Sequence, residues 1–251
     1  MSVGAVFCSY EDSGFLTEAV NRVYAAMDSI LILLDTVPWT GMPNNAILET
    51  TYKTALAIPD HQHKIEIISR YWADEAEQRN YGLKVLRDKG IDWGMMVDDD
   101  ELFNPSELSQ VFPMLNVNDY SAYLVKHQIY WKNRDTIIDF EDSYFPTIML
   151  TLPNRIIFNK ARMITVYEGK QWTYVRPDLL ICHHMSFVRR DDLMLRKIQM
   201  FSHADEIIKG WYEEKWLKWE ESMTDLHPLN PSTFKRTVPA TTSKYILEEV
   251  K

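Results

Sequence analysis

IDWGMMVDDDELF, residues 91–103, follows a helix stop at Lys89-Gly90 and carries an apolar run, Trp93 to Val97. The run ends abruptly in four acids, Asp98, Asp99, Asp100 and Glu101. An apolar run of this length bounded by turn signals reads as a buried strand. Four carboxylates where such a strand emerges repel one another, and the arrangement is costly unless a cation sits among them. In open α/β sheets, ligands bind beyond the carboxyl ends of the strands, so the acids stand where a site is expected. Hard divalent cations such as Mg²⁺ or Mn²⁺ take carboxylate oxygens. The plainer alternative is a solvated acidic turn leading into a helix, since Asn104-Pro105-Ser106-Glu107 resembles a cap. A turn needs one or two acids, not four.

Working back from this stretch, strands and helices alternate. Val3–Tyr10, Ser29–Leu34 and Lys64–Ser69 read as strands, and Phe15–Met27 and Asp74–Asp88 as helices. Such alternation implies an α/β fold with a mostly parallel sheet. Pro38–Asn45 reads as a loop, and Ala46–Ile58 carries a mixed, partly helical pattern.

Beyond the acids the texture changes. Tyr120–Trp131 alternates as a strand or hairpin arm, Thr147–Leu152, Arg155–Phe158 and Leu179–Phe187 read as short strands, and Asp191–Trp211 as one long amphipathic helix. Trp211–Trp219 has the pattern of a surface helix with snorkelling lysines. His227–Thr242, rich in Pro, Ser and Thr, reads as an extended tail or mobile loop. The expected organisation is a single domain: a nucleotide-type α/β half over 1–103 ending in the acids, a second half over 104–225 and a tail over 226–251.

The 251 residues carry a net charge of −9 with 46% apolar residues. A sizeable core is available, and a long grip on nucleic acid is disfavoured. Lys160, Arg162, Lys170 and Arg176 form a basic cluster that leaves local contact with a modified nucleobase in DNA open; a solvated face is the plainer reading. Cys8 and Cys182 read as core residues in a reducing compartment. With no signal-peptide pattern and no run near the roughly 20 apolar residues of a membrane span, a cytoplasmic protein is expected.

No GxGxxG or GxxxxGK[ST] loop occurs among the 8 glycines, so a phosphate-bearing ligand would need a metal and cationic side chains. Arg79 and Asn80 fall on the same face of their helix as Ala76 and Leu83. Inward polar groups need partners, either a ligand or, for Arg79, a neighbouring carboxylate.

The ordered set Glu75-Ala76-Glu77-Gln78-Arg79-Asn80-Tyr81-Gly82-Leu83, Gly90-Ile91-Asp92-Trp93 and Val97-Asp98-Asp99-Asp100-Glu101 resembles the family 2-type glycosyltransferases of the GT-A fold. The resemblance covers residues 3–103 and implies sugar transfer from a nucleotide-diphosphate donor, of the UDP- or GDP-sugar class, with Mn²⁺ or Mg²⁺ at the DxD acids Asp98 and Asp100. It places Ser9, Tyr10, Glu11 and Asp35 toward the nucleotide, with Arg79, Asn80, Asp98 and Asp99 beside them. It implies a third metal ligand from the C-terminal half, His184, with His183 turned to the core on the opposite strand face. It also implies a closing segment carrying Lys235 and Arg236. The Gln-x-x-Arg-Trp signature of processive members is absent. An inverting enzyme needs a carboxylate base, for which Asp139, Glu141, Asp142 and Glu168 are candidates. His61, His63 and His127 give no signal, and His203 reads as structural.

Two other classes compete. One is another metal-dependent enzyme on nucleotide or diphosphate substrates, such as a nucleotidyltransferase. The other is a non-catalytic sugar-binding module using Trp131, Trp172 and Trp211 as stacking platforms. If the acids are crowded like charges, replacing Asp100 should stabilise the metal-free protein.

Overall fold

The computed structural model describes residues 1–38, 45–116, 119–139, 145–160, 162–200 and 203–249. In the first half β1 (Val3–Ser9), α1 (Leu16–Tyr24), β2 (Ser29–Asp35), α2 (Asn45–Leu56), β3 (Ile65–Arg70), α3 (Glu75–Asp88) and β4 (Trp93–Asp98) alternate as expected. There follow β5 (Glu101–Leu102), α4 (Pro105–Val111), β6 (Ala122–Leu124), β7 (His127–Trp131), β8 (Asn133–Asp139), β9 (Thr147–Thr151), β10 (Ile156–Lys160), β11 (Met163–Val166), β12 (Trp172–Tyr174), β13 (Cys182–Phe187), α5 (Asp191–Met200) and β14 (Arg236–Pro239).

The larger sheet runs β12-β6-β9-β4-β1-β2-β3. Strands β1 to β4 are parallel, and β9 is antiparallel to both β4 and β6. This is the mixed α/β architecture the sequence implied, a mainly parallel sheet flanked by helices. Every residue of β1 and β2 is buried, because helices cover both faces and the strands need no polar side. Ala5, Phe7, Ile30 and Ile32 pack toward α1, while Val6, Leu31 and Leu33 pack toward Leu83 and Leu86 of α3. Full burial of each such side chain stabilises by about 1.5–3 kcal/mol. Helix α3 starts at Asp74, whose side chain accepts the Glu77 N–H at 2.8 Å, and Glu77 accepts the Ala73 N–H at 2.7 Å, a reciprocal cap. It stops at Gly90, whose φ of +76° suits glycine.

A second sheet, β14-β8-β7-β13-β5, stands beside the first. The chain crosses between them at the acids: β4 ends at Asp98, Asp99 and Asp100 turn, and β5 pairs with β13. The Tyr120–Trp131 arm divides, β6 joining the larger sheet and β7 the smaller.

Three expectations are corrected. The helix from Asp191 ends at Met200 among the described residues rather than reaching Trp211; beyond it Ile207 is extended and Gly210 has φ +79°. Trp211 and Trp216 are not surface groups but lie buried with Trp131, Phe187 and Phe234 in a third apolar cluster, Trp131 and Trp216 centroids 5.3 Å apart. Part of the 227–242 segment is strand: β14 pairs with β8, and Phe234 is buried. The Pro38–Asn45 loop lies mostly outside the described residues. No described helix is long and apolar enough to cross a membrane.

Candidate functional site

A cleft of about 580 Å³ opens at the carboxyl ends of β1, β2 and β4, bordered on the far side by β7, β13, α5 and residues 227–234. Ser9, Tyr10, Glu11, Asp35, Arg79 and all four acids line it.

The acids are partnered one by one. Asp98 takes Arg79 at 2.8 Å and Arg162 at 3.2 Å, and Arg79, itself buried, also pairs with Glu75. Asp99 accepts the Ser9 hydroxyl at 2.6 Å and, on the same oxygen, the Ser13 N–H at 3.3 Å. Burial, then the neighbouring Asp100, pushes its carboxyl up to about 7. Asp100 is met by Arg189 at 3.0 Å, Lys197 at 3.1 Å and His184 at 3.3 Å. Burial opposes its ionisation, but Lys197, His184 and Arg189 outweigh it and hold the carboxyl well below the usual range. Glu101 takes Arg162 at 2.6 Å, the Asp98 N–H at 2.9 Å and His127 at 3.3 Å. Burial opposes its ionisation too, and Arg162 and His127 overcome it, holding it far down. Four basic side chains therefore already compensate the charge for which the sequence seemed to demand a metal.

One group nevertheless suits a metal. Ligand atoms of Glu101, His127 and His184 lie within 4.8 Å of one another, and all three residues line the cleft. His184 Nδ1 is buried with no hydrogen-bond partner. Two imidazoles and a carboxylate form a donor set for a divalent transition ion. His183, on the opposite strand face, is fully buried with Nδ1 2.8 Å from the Tyr130 hydroxyl, and burial lowers it to about 3.

Other sequence candidates fall elsewhere. Asn80 donates to the Phe158 carbonyl at 2.9 Å and accepts its N–H at 2.8 Å, so it tethers α3 to β10. Lys235 and Arg236 are exposed and do not line the cleft, Arg236 pairing with Asp139 at 2.9 Å. Glu168 is exposed and away from the cleft lining. Glu141 and Asp142 lie outside the described residues. Trp131 and Trp211 are buried and cannot serve as stacking platforms; Trp172 is exposed but does not line the cleft. The basic cluster does not form one face, because Arg162 turns inward, donating to the carbonyls of Met96 at 2.9 Å and Thr147 at 3.2 Å besides Glu101.

Sequence reading missed Arg162, Arg189, Lys197 and His127 at this site. Arg162 lies in the turn between β10 and β11, Arg189 between β13 and α5, and Lys197 in α5, all distant in the chain from the acids, and only the pairing of β5 with β13 and of β13 with β7 brings His127 and His184 to Glu101.

No protein-family model and no curated protein matches the chain. Among solved structures, S. aureus TarS is 13% identical with a TM-score of 0.44, covering 80% of this chain and 40% of that one. Residues 1–349 of S. aureus TarS give 14% identity and a TM-score of 0.39, covering 61% of this chain and 47% of that one. Glucosyl-3-phosphoglycerate synthase from Mycobacterium tuberculosis, in complex with Mn²⁺, UDP and phosphoglyceric acid, gives 10% identity and a TM-score of 0.32, covering 53% and 44%. The chain spans less than half the length of each of these structures.

Proposed function

We propose that the chain is a glycosyltransferase that moves a sugar from a nucleoside-diphosphate sugar, of the UDP or GDP class, to an acceptor hydroxyl. The observation that carries this reading is the acid cluster at the carboxyl end of β4, set in a cleft with cationic side chains and a metal-capable trio. In the proposed reaction the anomeric C–O bond to the diphosphate breaks and a C–O bond to the acceptor forms. The acceptor's proton passes to a carboxylate in an inverting enzyme, for which Glu141 and Asp142 are the candidates. A divalent cation, Mn²⁺ or Mg²⁺, would supply positive charge against the departing diphosphate; Asp98, Asp100 and His184 are the ligands the sequence points to. Ser9, Tyr10, Glu11 and Asp35 would receive the nucleoside. Arg189 and Lys197 line the cleft and would offset phosphate charge in place of a glycine loop.

Within the 226–251 tail, residues 227–234 would act as the closing segment, since 227–230, Thr233 and Phe234 border the cleft while β14 is held by β8. Limited proteolysis with and without donor and Mn²⁺ tests that role; equal cleavage in both states counts against it. The function itself is tested by thermal stabilisation with a panel of nucleotides and nucleotide-sugars, with and without Mn²⁺. Stabilisation by one nucleotide-sugar that depends on the metal is expected. No response to any nucleotide, or the same response to nucleoside triphosphates alone, would overturn the reading.

A further inference from the structure

We propose that the divalent ion in this cleft is held by Glu101, His127 and His184 rather than by Asp98 and Asp100, and that the site prefers a transition ion to Mg²⁺. The inference rests on reading the cleft as a metal-dependent site, and it does not depend on the donor's identity.

Four observations carry it. First, the three ligand atoms already lie within 4.8 Å of one another. Ligands about 2.0–2.2 Å from a common ion stand roughly 3–4 Å apart, so only a small contraction is needed. Second, the three come from strands bonded to each other: His184 is opposite Glu101 across β13 and β5, and His127 is in register with Cys182 across β7 and β13. Ligands fixed on paired strands lose little freedom on binding.

Third, the two aspartates are occupied by fixed cations. An ion at Asp98 would meet Arg79 and Arg162 on its two oxygens, and one at Asp100 Oδ2 would meet Arg189 and Lys197, which leaves only Oδ1, already facing His184 at 3.3 Å. Glu101 divides its work: Oε2 holds Arg162 and the Asp98 N–H, while Oε1 faces His127. Fourth, His184 has one ring nitrogen against Asp100 and the other, Nδ1, buried without a hydrogen-bond partner. A carboxylate on one side of an imidazole fixes its orientation for a metal, and a buried nitrogen with no partner is costly to leave unmet. Two imidazole donors favour Mn²⁺, Co²⁺ or Zn²⁺, whereas Mg²⁺ prefers an oxygen shell and dehydrates reluctantly.

The test is titration of the metal-stripped full chain with Co²⁺, followed by visible absorbance and calorimetry, with no nucleotide present. One ion per chain is expected, displaced by Zn²⁺ but not by equimolar Mg²⁺. His127→Ala should weaken binding at least 10-fold, and His183→Ala, on the opposite strand face, and Asp98→Asn less than 3-fold. Each variant is first checked for cooperative melting, and Glu101→Gln is compared only if it folds. Retention of full Co²⁺ affinity in His127→Ala, its loss in Asp98→Asn, or ready displacement by Mg²⁺ would overturn the proposal. If the ion binds as expected but no nucleotide-sugar stabilises the protein, the metal site stands and the glycosyltransferase reading falls.

Discussion

Arg162 Nη2 stands 2.6 Å from Glu101 Oε2, with both side chains buried. The same guanidinium holds carbonyls on two neighbouring strands, Met96 of β4 and Thr147 of β9. It therefore ties the larger sheet to the turn where the chain leaves it. Removing one member of a buried pair leaves the other charged and unsolvated, which costs about 3–5 kcal/mol. Arg162→Met should lower stability by that amount in urea unfolding, and adding Glu101→Gln should restore part of the loss. Additive losses in the double variant would show that the pair is not coupled.

Asp100→Asn separates two views of the acids. If they were unpaired like charges, neutralising one would stabilise the protein. In the structure Asp100 is the shared partner of Arg189 and Lys197, so its removal leaves two cations close together with less compensation. We expect a loss of about 2–4 kcal/mol in metal-free buffer, corresponding to a melting temperature lower by roughly 4–16 °C for a chain of this size. A higher melting temperature would mean that repulsion among the acids outweighs their pairing.

The alternation of apolar runs made β1 to β4 and the helices between them legible, because burial on both sheet faces leaves an unbroken apolar signature. The position of the acids at a strand end followed from the same run. What stayed hidden was the compensation. Arg162 stands among exposed basic residues in sequence, and Lys197 sits in an amphipathic helix pattern that gives its charged residues to solvent. Their inward direction depends on the second sheet, where His183 of β13 pairs with Leu102 of β5 and Cys182 of β13 with His127 of β7, separations in sequence beyond any local periodicity. His127 gave no signal because it takes the apolar position between Val125 and Ile129 in the alternation Val-Lys-His-Gln-Ile, which reads the same whether the histidine is core or ligand. Arg79 was legible as an inward residue, and its partners proved to be carboxylates of the protein itself.

Gly82 is where α3 comes down on β1. A Cβ added there would lie 2.4 Å from Val6 Cγ1 and 3.1 Å from Leu33 Cδ1. Both neighbours are fully buried and branched, with little room to turn. Overpacking of this kind costs about 1–3 kcal/mol and exceeds the small gain in helix propensity over glycine. Gly82→Ala should therefore destabilise the protein in chemical denaturation. An unchanged or higher midpoint would show that α3 can lift from the sheet.

His227 should make stability depend on acid. Its Nδ1 accepts the N–H groups of Leu229 at 3.1 Å and Asn230 at 3.0 Å, which fixes the loop bordering the cleft and requires that nitrogen to be unprotonated. Burial lowers the imidazole from the ordinary 6.5 to about 4. In that interval the unfolded chain binds a proton that the folded chain does not, so the folded state loses stability as pH falls from about 6.5 toward 4. Unscreened, the shift would correspond to about 1.4 kcal/mol per unit; because the ring is partly exposed we expect about 1–2 kcal/mol in all. His227→Asn keeps an acceptor for the two amides and removes the titration. Its stability relative to the wild-type chain should rise by that amount between pH 7 and pH 4.5, as followed by urea unfolding. Parallel pH profiles for the two proteins would place the acid sensitivity in other buried groups, His183 first among them.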